Sequence, residues 1–111
     1  MEKRALWVVF KPEELKENAE MREKFMGSYP IFKDMPSLVG KFWWLNREKG
    51  EWGALYIFNQ EKDLQEYLAS DLWLNKVPAK YGCKPEATVL ELGPILCKKL
   101  ITEGQDSWMA D

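Results

Sequence analysis

Lys41 stands in an apolar stretch between Leu38 and Trp44, where a lysine is uncommon. Two placements suit such a residue: its ammonium reaches solvent at the rim of a sheet, or it lies partly desolvated in a cavity. In a cavity its pKa would fall towards the working pH. The amine could then act as a base or, when protonated, stabilise an enolate or a peroxide. Lys41 is therefore a candidate catalytic residue.

Tyr56 is the second candidate, because antiparallel pairing of its segment with that of Lys41 would place both side chains on one face of a sheet. A phenol in that position can donate a hydrogen bond to a developing oxyanion. The alternative is a core tyrosine whose hydroxyl is satisfied within the protein. Both possibilities stay open from the sequence.

Aromatic side chains are abundant, at 14% of the 111 residues, with six tryptophans among them. A small domain buries only a few such rings in its core. Some of them could line a pocket of roughly 300 to 1,000 Å³ for a flat apolar ligand, or they could serve as plain core and interface packing. The candidate substrate-binding residues are Trp43, Phe58, Tyr67 and Trp73.

Composition excludes several kinds of site. The chain has no histidine, the usual metal and heme ligand, and no glycine-rich phosphate loop. Its two cysteines, Cys83 and Cys97, are too few for a disulfide framework or a structural zinc site. The net charge of −2 gives no reason to expect nucleic acid or an anionic membrane as a partner. We expect no metal, heme or flavin, and a cytoplasmic protein without a signal peptide or membrane span.

The elements that position the candidates begin with a hairpin. Leu38–Leu45 and Trp52–Phe58 are aromatic and β-branched runs, and Gly50 in the polar link supplies a positive φ. Pairing of Asn46 with Glu51 would set the register that brings the two candidate residues opposite each other.

The remaining elements are predicted from apolar spacing and from capping residues. The predicted elements are a strand at Ala5–Phe10 buried on both faces, a helix from Pro12 to Gly27 with Leu15, Ala19, Arg22 and Met26 on one stripe, a loop at Ser28–Pro36, a helix after Asn59, a short helical stretch with Trp73 and Val77 that ends at Gly82, and a strand at Ala87–Leu92.

The order β-α-β-β-α-β predicts an α+β, ferredoxin-like fold, with a four-stranded antiparallel sheet and the helices on one face. We predict one domain over residues 1–101 and a polar tail over residues 102–111. The uncovered sheet face and the apolar segment Ile95–Cys97 predict a homodimer in which this face packs against a second copy.

Eight residues of the central half of the chain resemble, in type and spacing, the pattern of the YdhR-like monooxygenases, a family of the dimeric α/β-barrel superfamily. These residues are Pro36, Lys41, Trp43, Gly53, Tyr56, Phe58, Tyr67 and Leu68. The resemblance implies a homodimer whose two sheets form a barrel, with a ligand cavity between sheet and helices in each subunit.

The resemblance also implies an activity, by analogy to cofactor-independent oxygenases of the same superfamily that act on electron-rich aromatic polyketides. We therefore expect a monooxygenase for a small phenolic or enolisable aromatic compound. Lactone isomerases and polyketide cyclases share the superfamily. A cyclase or isomerase, or a non-catalytic ligand-binding dimer, is accordingly the alternative.

Overall fold

The structure is a computed structural model that describes residues 3–96, which contain four strands and the helices that connect them. The elements are β1 (Arg4–Phe10), α1 (Asn18–Lys33), β2 (Leu38–Asn46), β3 (Glu51–Phe58), α2 (Glu61–Leu68), a π-helical turn (Leu72–Lys76), α3 (Val77–Tyr81) and β4 (Glu86–Glu91). Both the predicted domain end at residue 101 and the tail after it lie outside the described residues. None of the described helices is long and apolar enough to cross a membrane.

The four strands form one antiparallel sheet in the order β2-β3-β1-β4, which confirms the predicted ferredoxin-like arrangement. The hairpin register is also as predicted, since Asn46 pairs with Glu51 and Lys41 with Tyr56. Gly50 takes the positive φ of 69° that the turn requires. An irregularity between Leu38 and Gly40 shifts only the start of β2. The two candidate catalytic residues therefore share one face of adjacent strands.

Helix α1 differs from the prediction. Pro12 and the residues after it form an irregular segment, and the helix continues through Gly27 and Pro30 to Lys33. The predicted inner stripe and the predicted loop at Ser28–Pro36 are both wrong. The buried residues of α1 follow spacings of four, three and four residues, which keep them on one helix face. They are Met21, Phe25, Ser28 and Phe32.

The second half of the molecule follows the prediction closely. Helix α2 begins after Gln60 and buries Leu64 and Tyr67. The π-helical turn carries the buried Trp73 and leads directly into α3, which ends at Gly82 with a left-handed φ of 74°. A π-helical turn rotates the residues that follow it relative to a regular helix. Trp73 and Val77 thus both face the core.

All helices lie on one face of the sheet and enclose the core with it. The sheet contributes Leu6, Val8, Phe10, Trp52, Ala54, Tyr56 and Phe58 to this core. Each of these residues alternates with one on the opposite, outer face, as the two-residue period of a strand requires.

The outer face of the sheet is open in the single chain. Trp7, predicted in a strand buried on both faces, is 39% exposed, and Phe42 and Leu90 are exposed as well. Trp7 and Trp44 stack on this face with ring centroids 5.2 Å apart. Ile95 and Leu96 are also exposed, and Cys97 lies outside the described residues.

Candidate functional site

The Lys41 side chain points inward from β2 into a cage of aromatic rings. Its Nζ atom lies 3.2 Å from the ring centroid of Phe32, 4.2 Å from that of Tyr56 and 4.3 Å from that of Trp43. An ammonium over ring faces is attracted by their quadrupoles, more strongly where water is excluded. Of the two placements expected for this lysine, the structure has the desolvated one.

The charge of Lys41 has no anionic partner in the described part of the chain, and no hydrogen bond joins its ammonium to a residue there. Burial lowers the pKa of Lys41 well below its ordinary value, and the positive charge of Lys80 lowers it further. The neutral amine is therefore easier to form at Lys41 than at an ordinary surface lysine. The group can take a proton from a bound acid, and once protonated it can stabilise an anion.

Tyr56 lies beside this cage with its side chain 3% exposed. Its hydroxyl oxygen accepts a hydrogen bond from the Tyr67 hydroxyl, with 3.1 Å between the oxygen atoms. Burial, and then the neighbouring Tyr67, raise the pKa of Tyr56 well above its ordinary value. Tyr56 therefore remains a neutral phenol, and its own proton is available to a ligand in the cage.

Phe58, Tyr67 and Trp73 form a second layer of rings behind Tyr56. Tyr67 lies 5.2 Å from Tyr56, 5.6 Å from Phe58 and 5.5 Å from Trp73, measured between ring centroids. Burial also raises the pKa of Tyr67, so it too stays neutral. The fold thus brings all six candidate residues into one cluster.

A small cavity, here called the inner cavity, lies between the sheet and the helices at this cluster, with a volume of about 20 Å³. It is lined by Phe10, Ser28, Phe32, Lys41, Trp43, Trp52, Ala54, Tyr56, Val77 and Tyr81. Lys41, Trp43 and Tyr56 face it, whereas the second layer of rings does not. This volume holds about one water molecule. An aromatic ligand enters only if the surrounding rings move apart.

Phe32, Ser28 and Tyr81 are lining residues that sequence analysis missed as site residues. Phe32 makes the shortest ammonium contact, yet its segment was predicted as a loop. The helical spacing of Met21, Phe25, Ser28 and Phe32 is the signal that could have found it. The glycine and the proline inside this helix obscured that spacing.

In the described part of the chain, no three side chains of the metal-binding types His, Cys, Asp and Glu are grouped so that they could hold a metal ion. Cys83 is half-buried at the edge of the core, and burial raises the pKa of its thiol.

The sequence model of the family described as "Putative mono-oxygenase ydhR" matches residues 6–84, a range that includes all six candidate site residues. The chain belongs to this family. No curated protein matches the sequence.

Solved structures show the same fold at low sequence identity. SnoaB from Streptomyces nogalater, described as a cofactor-independent oxygenase, superposes with a TM-score of 0.66 and 15% identity, over 88% of this chain and 100% of that one. NE2512 from Nitrosomonas europaea, described as a protein of unknown function, gives a TM-score of 0.63 and 21% identity, over 88% and 96% of the two chains. The fold of this ydhR family member is therefore shared with at least one oxygenase.

Proposed function

We propose that this protein is a cofactor-independent monooxygenase that acts on a small phenolic or enolisable aromatic compound in the inner cavity. The observation that carries the proposal is the buried Lys41 ammonium, caged by aromatic rings beside the Tyr56 phenol and without an anionic partner among the described residues. Membership of a family named for mono-oxygenases supports it, as does the fold shared with SnoaB.

Lys41 supplies the first step. Ground-state dioxygen reacts slowly with closed-shell organic molecules, but a carbanion or phenolate can donate one electron to it. The neutral amine of Lys41 removes a proton from the substrate, and the resulting ammonium stabilises the anion in a dry, ring-lined space. Tyr56 donates its hydrogen bond to the oxygen that becomes negative.

The reaction balances without an external reductant. A substrate CH₂ group becomes a carbonyl, one oxygen atom of O₂ enters the product, and the other leaves as water. The two hydrogen atoms of the CH₂ group go to that water. The substrate supplies all four electrons, so the protein contributes only proton transfer, anion stabilisation and exclusion of bulk water.

We also propose that the active form is a homodimer joined through the outer face of the sheet. Trp7, Phe42 and Trp44 make this face apolar, and the buried indole nitrogen of Trp44 has no hydrogen-bond partner in the described part of the chain. A second copy would cover these rings.

A non-redox isomerase or cyclase is the second candidate function. The same pair of residues favours it, because a base and a phenolic donor on adjacent strands are sufficient to form and reprotonate an enol. Oxygen dependence separates the two functions.

The test uses purified protein with 2-tetralone, an enolisable aromatic ketone, and 2-naphthol, a phenol, each in air and under nitrogen. We expect product in air only. Tyr56→Phe should lower turnover about 100-fold to 1,000-fold, as the loss of an oxyanion donor does. Lys41→Met should lower it at least as far, because both the base and the cation are removed.

Tyr29→Phe is the matched control. Tyr29 also stacks on Trp43, at 5.9 Å between centroids, but it does not line the inner cavity. It should leave turnover unchanged. Equal rates in air and nitrogen would establish the isomerase instead. Unchanged turnover in both site variants would return Lys41 and Tyr56 to structural roles.

A further inference from the structure

A second cavity, here called the outer groove, shares the lining residue Tyr81 with the inner cavity and has a volume of about 260 Å³. It is lined by Pro12, Glu14, Lys16, Glu20, Met21, Lys24, Ala79, Lys80, Tyr81 and Gly82. Tyr81 lines both cavities, because its ring packs against Trp52 with 4.4 Å between centroids while its hydroxyl points to α1. The outer groove and the inner cavity therefore adjoin at Tyr81.

A polar network spans this junction. Lys80 Nζ donates to Ser28 Oγ at 2.8 Å and to the Lys24 carbonyl oxygen at 3.0 Å. The Tyr81 hydroxyl lies 3.3 Å from Ser28 Oγ. Ser28 lines the inner cavity and Lys80 lines the outer groove. The hydrogen bond from Lys80 to Ser28 therefore connects the two cavities.

The sequence of α1 makes room for the Lys80 ammonium. A Cβ atom added to Gly27 would lie 3.3 Å from Lys80 Nζ, closer than ordinary packing. Glycine and serine inside a helix both lower its stability relative to alanine, by about 1 kcal/mol for glycine. Ser28 is also buried, with 7% of its surface exposed. This local cost indicates that the position of Lys80 matters to the protein.

Positive charge accumulates at the junction. Burial lowers the pKa of Lys41 and of Lys80. Repulsion from Lys80 lowers the pKa of Lys41 further, and repulsion from Lys24 does the same for Lys80. Glu14 and Glu20 also line the outer groove, but neither pairs with any of these three lysines in the described part of the chain. An anion placed between Lys41 and Lys80 would relieve the repulsion and gain charge-assisted hydrogen bonds.

We propose that Lys80, with the Ser28 and Tyr81 hydroxyls, binds the carboxylate of an aromatic acid at the junction of the outer groove and the inner cavity. The aromatic ring of that acid enters the cage around Lys41. This inference rests on the proposed function only in taking the inner cavity as the place of the ring. It narrows the substrate class from aromatic compounds in general to those with an acidic group beside the reacting ring.

The test compares a carboxylate with its neutral isostere. Binding of 2-naphthoate and of 2-naphthamide is measured by isothermal titration calorimetry at low salt. We expect the wild-type protein to bind 2-naphthoate about tenfold more tightly, the discrimination that hydrogen bonds to a charged group provide. Lys80→Met should abolish this preference and leave the Kd of 2-naphthamide nearly unchanged.

Two further variants make the result specific. Lys76→Met removes the same charge from the neighbouring turn, where Lys76 is exposed and pairs with Asp71, and should keep the preference. Ser28→Ala keeps every charge and suits a helix, yet it removes an acceptor of Lys80. It should reduce the preference in part. Circular dichroism checks that each variant is folded.

The possible failures are distinguishable. Tight 2-naphthamide binding without a preference for 2-naphthoate overturns the carboxylate site and leaves the proposed function standing. A preference that survives in Lys80→Met also overturns it. If the wild-type protein binds neither ligand at millimolar concentration, the inner cavity does not accept an aromatic ring, and both proposals fail.

Discussion

Lys41 combines two opposing free-energy terms in one side chain. Removal of the ammonium from water destabilises the folded protein by several kcal/mol, at about the scale found for buried ions. Contacts of the ammonium with three ring faces offset part of this cost, since one well-desolvated ammonium–ring pair contributes about 2 kcal/mol. Burial, and then the charge of Lys80, lower the pKa of Lys41, the direction expected where desolvation outweighs the ring contacts. Lys41 therefore lowers the stability of the fold, as residues placed for chemistry often do.

Lys41→Met should therefore stabilise the protein while it abolishes turnover. We expect a gain of about 1 to 4 kcal/mol in the free energy of unfolding at neutral pH, the range seen when buried ion pairs are replaced by apolar side chains. Because the pKa of Lys41 is lower in the folded than in the unfolded state, its charge destabilises the folded protein, and this effect is complete at pH values below the folded-state pKa. The effect disappears as the pH rises towards about 10.4, where the unfolded lysine also loses its proton. The gain should shrink accordingly in urea denaturation series between pH 7 and pH 10.

The control for this prediction is Lys49→Met in the exposed hairpin turn. It should change the free energy of unfolding by less than about 0.5 kcal/mol at every pH. A loss of stability in Lys41→Met, or a gain that does not depend on pH, would contradict the desolvated placement of the ammonium.

At the scale of the elements, the hairpin β2 and β3 is what places Lys41 beside Tyr56. Its register could be derived from the sequence, because the turn glycine and the alternating pattern leave few pairings that bury the rings. Helix α1 could not be placed correctly in the same way. Its glycine and proline act as helix breakers in an isolated sequence, whereas packing of Phe25 and Phe32 on the sheet stabilises the helix through them.

Three of the residues that sequence analysis missed have one cause in common. Phe32, Ser28 and Tyr81 reach the inner cavity from α1 and α3, and their positions depend on how these helices dock on the sheet. Local spacing within a strand predicts cross-strand neighbours, but it contains no information on which helix residue lies above them. The pairing of Lys41 with Tyr56 was therefore predictable, whereas the positions of these three helix residues were not.

Gly53 in β3 has the strictest packing requirement of the sheet glycines. A Cβ atom there would overlap the carbonyl oxygen of Val8 and lie 2.5 Å from the Trp44 ring. We expect Gly53→Ala to lower the free energy of unfolding by about 1 to 3 kcal/mol, as overpacking does. Thermal denaturation measures this loss.

Gly40→Ala is the matched control, because a Cβ atom on Gly40 meets no atom within 4 Å. It should be neutral or slightly stabilising, since alanine restricts the unfolded chain. Equal destabilisation by the two substitutions would contradict the close approach of the Val8 carbonyl oxygen and the Trp44 ring to Gly53.

At the scale of the whole molecule, the outer face of the sheet is the surface that the proposed dimer must cover. Phe42→Lys places a charge on this face and should yield a monomer at micromolar concentration, because burial of an unpaired charge opposes association. Light scattering measures the mass. Ile31→Lys changes a similarly exposed apolar residue on α1, 50% against 45% exposed, and should leave the dimer intact. A wild-type monomer would exclude the proposed assembly.

The most direct test of the account is the origin of the oxygen atom in the product. Dialysed protein is mixed with an aromatic compound that it converts, under ¹⁸O₂ in ordinary water. The product is analysed by mass spectrometry at early times, before its new carbonyl oxygen exchanges with solvent. We predict one ¹⁸O atom in each product molecule, and loss of this product in Lys41→Met and Tyr56→Phe. Unlabelled product, formed equally well without oxygen, would contradict it.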